Sequence, residues 1–186
     1  MNPDAPSEPS TALRSFLDQT FAQNGWKCTS THHPQVVEAG FEAHHARIPL
    51  HVQAFPEINA ISVVSRSDSA ATDPDHRTKT AELLMRANQR LTLGAFELLW
   101  DEGETLFRVT NFFPAEARIP SVLTAMVEIA VVEMDRILPL LHHVQEASGL
   151  SLVSLNISAM LDSPEFLPEV APHPASAEDE EDDRPT

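Results

Sequence analysis

The hydrophobic pattern of the chain changes period several times, and each change marks an element. Leu13, Phe16, Leu17 and Phe21 recur at helical spacing, so they form one apolar stripe and predict a helix over 10–24. Ser10 is a cap candidate through its hydroxyl, and Asn24-Gly25 is a good stop. Strict alternation follows. Ile48, Leu50 and Val52 alternate with Pro49, His51 and Gln53, which suits a half-buried strand. The pattern predicts three strands, over 36–43, 48–55 and 58–65. Their short links make an antiparallel meander the simplest reading. Pro49 cannot donate to a ladder, so it implies an edge or a bulge.

Helical spacing returns after Asp73-Pro74, a cap followed by proline at the first helical position. Ala81, Leu84, Ala87, Asn88 and Leu91 share a side of a helix that runs to about Arg90. Gly94 then releases the chain into a hairpin. Phe96, Leu98 and Trp100 alternate on one strand, Asp101 to Glu104 makes the turn, and Leu106 to Phe112 returns. A last helix is predicted over 120–145. It carries one apolar line through Val122, Met126, Ile129, Glu133, Ile137 and Leu140, and another through Leu123, Val127, Val131, Met134 and Leu138. One buried face needs a stripe only about 100° wide. Either this helix is deeply buried, or its extra face meets a partner. Pro139 should kink its last turns. The order is α-β-β-β-α-β-β-α, an α+β fold with an antiparallel sheet and helices packed on it.

Both ends read differently. Residues 1–9 and 162–186 are rich in proline and polar groups, and such stretches bury too little surface to offset chain entropy. They are expected to be disordered, leaving a domain over 10–147. Residues 148–161 form an apolar C-terminal extension, with Leu150, Leu152, Val153, Leu155, Ile157, Met160 and Leu161. Left free it would be an aggregation hazard. It should pack on its own domain, cross to a second copy, or bind a partner.

Charge narrows the function classes. The net charge is −16, and the run from Glu178 to Asp183 supplies only part of it. Nucleic-acid binding needs clustered Lys and Arg, so a phosphate backbone would be repelled. Anionic membrane surfaces are disfavoured for the same reason. The stretch from Val122 to Leu141 is interrupted by Glu128, Glu133, Asp135 and Arg136, so it does not read as a membrane span. No secretory signal is visible at the start. Cys28 is the single cysteine, which fits a reducing compartment. A cytoplasmic protein is expected.

Candidate chemistry is thin. Nine histidines include the pairs His32-His33, His44-His45 and His142-His143. Neighbours on a strand point to opposite faces, and no His-x-x-x-His or Cys-x-x-Cys spacing occurs, so no metal site is expected. No Gly-x-Ser-x-Gly elbow and no phosphate loop is present. Asp101, Glu102 and Glu104 read as a turn rather than an acid–base pair. No enzyme activity and no cofactor are expected. Asn88, Gly94, Phe96, Trp100 and Phe107 read as fold-specifying, with Asn88 bonding backbone groups left open at a helix end and the aromatics anchoring the core.

The segment from Leu83 to Leu98 resembles the signature of the YbjN-type domain family. Asn88, Leu91, Leu93-Gly94, Phe96, the Asp101 to Glu104 turn and Phe107-Arg108-Val109 carry the resemblance. Gly25-Trp26-Lys27 and Met134-Asp135-Arg136-Ile137-Leu138-Pro139 extend it over about residues 12–144. The resemblance implies a fold similar to class I type III secretion chaperones, which are small acidic homodimers that hold an extended client segment. It departs at the His-rich stretch 29–34 and in the extension after Gly149. The expected function is a non-enzymatic protein-binding module that holds or recognises a segment of a partner; the alternative is a sensory or signal-transduction regulator that binds a small ligand or signalling partner. The partner would be a protein, the chain a homodimer, and the contact surface Val122, Met126, Ile129, Val131, Met134 and Leu138 on the last helix.

Overall fold

The computed structural model describes residues 8–163. Its elements are α1 (Glu8–Gln23), β1 (Cys28–Ser30), β2 (Val36–Glu42), β3 (Arg47–Phe55), β4 (Ala60–Ala70), α2 (Pro74–Asn88), β5 (Ala95–Leu99), β6 (Glu104–Phe112), α3 (Pro120–Glu146), α4 (Leu150–Ser154) and α5 (Ile157–Asp162). The strands form one six-stranded sheet in the order β1-β2-β3-β4-β6-β5, and every neighbouring pair is antiparallel. The fold is α+β, with five helices packed on the sheet.

The alternation in β3 sets the layers. Ile48, Leu50, Val52 and Ala54 are buried. Their cross-strand partners include Ala39 and Phe41 on β2 and Ile61, Val63 and Ser65 on β4. Val109 and Phe107 continue these rows on β6, and Phe96 completes one on β5. Against this surface lie Leu13, Phe16, Leu17 and Phe21 of α1, Leu83, Leu84 and Ala87 of α2, and the buried side of α3. The opposite face of the sheet is polar. Glu38, His51 and Arg108 share a row there. Strand-bridging pairs lie on that face too, Arg66 with Glu104 at 3.0 Å and Arg108 with Glu97 at 2.8 Å. Burial, then the Arg66 guanidinium, pushes the His51 pKa down.

Several boundaries differ from the sequence expectation. The helix predicted to begin at Ser10 begins at Glu8, so residues 8–9 are helical and Ser10 is not its cap. The stretch 29–34 includes most of a short extra strand, β1, whose three residues are exposed at the sheet edge. The strand expected from Ile58 begins at Ala60, because Pro56–Ile58 makes a 3₁₀ turn and Asn59 takes a left-handed conformation. That strand also runs on to Ala70, with a bulge between Arg66 and Ala70. A hydrogen bond and a close backbone approach hold this end. Ala71 N–H donates to the Gly103 carbonyl at 2.9 Å. Gly103 has φ +74°, and a Cβ there would sit 2.1 Å from the Ala71 oxygen.

Pro49 is neither on an edge strand nor at a bulge of its own. It faces Gly40 on β2, while the β3–β4 pairing begins only at Leu50. On its β4 side the strand is therefore locally an edge, which is what proline needs. Asn88 also finds an unexpected use. Its side chain accepts from Phe96 N–H at 2.8 Å and donates to the Phe96 carbonyl at 3.0 Å. One amide thus stands in for a neighbouring strand along the free edge of β5. Gly94 has φ +74°, and a Cβ there would meet the Phe107 ring at 2.4 Å. Trp100 is not a core anchor. It falls after the end of β5, in the turn, and is 53% exposed.

The width of apolar surface on α3 is mostly explained by burial within the chain. The helix continues through Pro139 to Glu146. It packs on the sheet, on α1 and on α2. The extension 148–161 folds back as α4 and α5 against α2, and buries Leu152, Ile157 and Met160. Of the tail expected to be disordered over 162–186, Asp162 still belongs to α5; residues 164–186 and the first seven lie outside the described residues.

Candidate protein-binding groove

Three of the six residues proposed as a contact surface are not on a surface. Met126, Met134 and Leu138 are buried in the domain's own core. They sit on the side of α3 that meets the sheet, and reaching them would require opening the domain. Val122, Ile129 and Val131 are partly buried and pack against the core from its margin. Ile129 and Val131 line different grooves on two flanks of the helix.

The groove on the Val131 flank is the more apolar in its residues. It holds about 210 Å³ and is lined by Trp26, Phe41, Glu42, Val127, Glu128, Val131 and Val132. Each wall follows from local structure. Trp26 comes directly after α1, where its N–H donates to the Phe21 carbonyl at 3.0 Å. Its indole meets Phe21 and Phe41 edge-on, at 5.4 and 5.3 Å between centroids. The ring is thereby fixed as a wall. Phe41 projects from β2, opposite Ile48. Val127 is buried and forms the floor, while Val132 is 56% exposed at the rim. Glu42 and Glu128 add carboxylates. Glu42 pairs with Arg47 at 2.8 Å, but both groups are well exposed, so this pair is weak.

Polar ties fix α3 on either side of the groove residues. Asn24 donates to Thr124 Oγ1 at 3.0 Å. Further along, Asp135 is only 6% exposed and receives the backbone N–H groups of His44 and His45 at 3.2 and 2.7 Å. His45 Nδ1 also lies 3.1 Å from the Asp135 carbonyl and 3.2 Å from its carboxylate. Both are acceptors, so Nδ1 carries the proton. The β2–β3 turn is thus knotted to α3. In the sequence Asp135 reads only as an interruption of an apolar run; its use as a cap for a distant turn has no local sequence signal.

The second groove, on the Ile129 flank, holds about 200 Å³ between Arg90, Leu91, Thr92, Leu93, Ile129, Glu133 and Arg136. It is more highly charged, and Arg136 pairs with Glu133 across one turn of α3. A third opening of about 430 Å³ lies on the sheet around Glu38, Pro49, His51 and Arg66.

Among the described residues no three His, Cys, Asp or Glu side chains converge as a metal site. Cys28 is exposed. Partial burial and the Asp18 carboxylate push its thiol pKa up, the opposite of an activated nucleophile. His44 stacks edge-on to His45 at 4.6 Å, and His142 pairs with Asp68 at 3.0 Å. No helix of the described residues is long and apolar enough to cross a membrane. Searches of protein-family models, of curated proteins and of solved structures return no match to this chain.

Proposed function

We propose that the chain is a non-enzymatic protein-binding module that holds a short segment of a partner protein in the groove between α3, Trp26 and Phe41. The observation that supports this most is a preformed apolar trough with an ordered indole wall and a rim of Glu42 and Glu128. Aromatic side chains in a preformed hollow are the usual anchors of protein interfaces. Charge selects the occupant. On a chain of net charge −16, two rim carboxylates favour a segment whose apolar side chains are flanked by Lys or Arg. A second copy of this acidic chain meets repulsion at the same rim. The resemblance to YbjN-type domains, and through them to secretion chaperones, fits holding a client segment; the homodimer it implies would pair through a surface other than this groove.

The test is selection of displayed peptides on the full-length protein, followed by affinity measurement. Selected peptides should carry apolar residues beside basic ones, with affinity that falls as salt rises. Val132→Asp should weaken binding by about tenfold or more, equal to roughly 1.4 kcal/mol, and Glu128→Lys should reduce the salt dependence. Peptides that bind equally to the wild type and to Val132→Asp would remove the groove from the function. Native mass of the free protein would show separately whether copies pair.

A further inference from the structure

Two side chains hold the C-terminal extension, His76 of α2 just before its start and Arg90, which follows α2, at its end. At the far end, Arg90 donates to the Leu161 carbonyl at 2.7 Å and pairs with Asp162 at 2.8 Å. At the near end, His76 reaches Ala147, the residue that caps α3 just before the chain turns into α4. Between these ties only Leu152, Ile157 and Met160 are buried, whereas Leu150 and Val153 face solvent. Beneath α5 is a narrow hollow between Ala87, Ile137, Leu140 and Met160, about 30 Å³ in volume. Met160 and Leu161 of the extension thus cover this hollow, whose rim also includes Arg90 and Arg136.

His76 is the unusual tie. Its side chain is 17% exposed. Nδ1 faces the Asp73 carboxylate, and Nε2 lies 2.8 Å from the Ala147 carbonyl. Neither partner has a proton to donate. A neutral imidazole has one donor and one acceptor nitrogen, so it would leave one contact as acceptor against acceptor. Only the imidazolium satisfies both. Asp73 cannot supply the missing proton cheaply, because it also accepts the N–H groups of Asp75 and His76 as the cap of α2.

We propose that residues 150–162 are a pH-gated strap, latched at its base by the imidazolium of His76, which lies over the hollow beside α2 and α3 and loosens from it when that proton is lost. Asp73 comes from the start of α2, and the carbonyls of Gln145 and Ala147 come from the end of α3. Helix α4, with the sequence Leu-Ser-Leu-Val-Ser, brings no titratable side chain. Burial alone would push the His76 pKa down, but the two carbonyls and the carboxylate outweigh it, and the pKa is raised. The sign follows. A group with a raised folded pKa stabilises fully below the free histidine value of about 6.5 and loses that contribution as pH rises through the folded value. The strap is closed in acid and loosens toward alkaline pH.

Amide hydrogen exchange of the full chain between pH 5.5 and roughly 9 tests this, with rates corrected for intrinsic chemistry and compared with β3 and β4 in the same sample. Residues 150–162 should lose protection relative to the strands, on the order of tenfold for each pH unit by which the His76 pKa, read from its NMR titration, exceeds the free value. His76→Gln should open the strap at low pH and flatten the profile. His142→Gln, which removes only an exposed contact to Asp68, should leave it unchanged. A wild-type profile that is flat against the strands overturns the proposal, as does a His76→Gln profile identical to wild type. The wild-type profile needs no variant, so the test stands even where His76→Gln disturbs folding.

Discussion

Helix α3 is covered on two sides, and the two covers are built differently. Toward the sheet, Leu123, Val127, Ala130 and Met134 meet strand rows and α1 in one continuous core, and the Ser65 hydroxyl donates to the Ala130 carbonyl at 2.8 Å. Toward α2 and the C terminus, the cover is two short helices with three buried side chains and a polar tie at each end. The first cover cannot open without unfolding the domain. The second resembles the low-stability segments that proteins use for motion, with few apolar contacts and local attachments. Mutations should separate them.

The largest effect belongs to the core. Phe107 is fully buried, meets Phe96 edge-on at 5.1 Å and lies on the row of Ser65. Phe107→Ala should cost about 3–5 kcal/mol of global stability, read as a shift in the urea midpoint by circular dichroism. Strands and extension should lose exchange protection together. A cost under about 1 kcal/mol would mean that the sheet side is not the stronger cover. Gly103→Ala comes next. Its positive φ is costly for alanine, and the added methyl would collide with backbone at Ala71 rather than with a movable side chain. A global loss of about 2 kcal/mol is expected, measured the same way, with the end of β4 losing protection first.

These two residues also show what was legible before the structure. Phe107 stood in an alternating run, and Gly103 in an acidic turn between two such runs; period and turn chemistry are local, so both could be read directly. The helices and most strands followed from the same signals. Trp100 could not be placed, because alternation does not say where a strand ends. Met126, Met134 and Leu138 read as contact surface in the sequence yet are buried, because sequence shows how wide an apolar face is but not how many neighbours cover it. Trp26 carries no sign in the sequence that it walls a groove beside Val131, since the groove is made by elements far apart in the chain. The ties of Asp135 and His76 join residues distant in sequence and have no periodic signature at all.

Ile157→Ala distinguishes the covers directly. In the core such a truncation costs about 2–5 kcal/mol. Here the cost is capped by the strap's own stability, because a strap that detaches no longer needs to fill the space. A global loss of about 1–2 kcal/mol or less is expected. Exchange at 150–162 should rise at every pH while β3 and β4 stay protected. If the strands were destabilised as much as by Phe107→Ala, the extension would be part of the core and the distinction between the covers would fail.

The smallest effect falls on α2, the helix that packs on α3 and β5 and carries α4 and α5. Thr80 is buried there, and its hydroxyl has no hydrogen-bond partner within the protein. A buried hydroxyl without a partner keeps its desolvation penalty. Thr80→Val replaces it with a methyl of the same shape, and the two residues have similar helix propensity. Stability should rise by up to about 1 kcal/mol, seen as a higher urea midpoint. Because α2 serves both covers, protection should increase in β5 and in the extension together. A gain confined to one of them would show that α2 transmits nothing between the covers. A loss of stability would mean that the hydroxyl is satisfied in solution by a water or by the carbonyl one turn earlier, and that the helix is already at its optimum there.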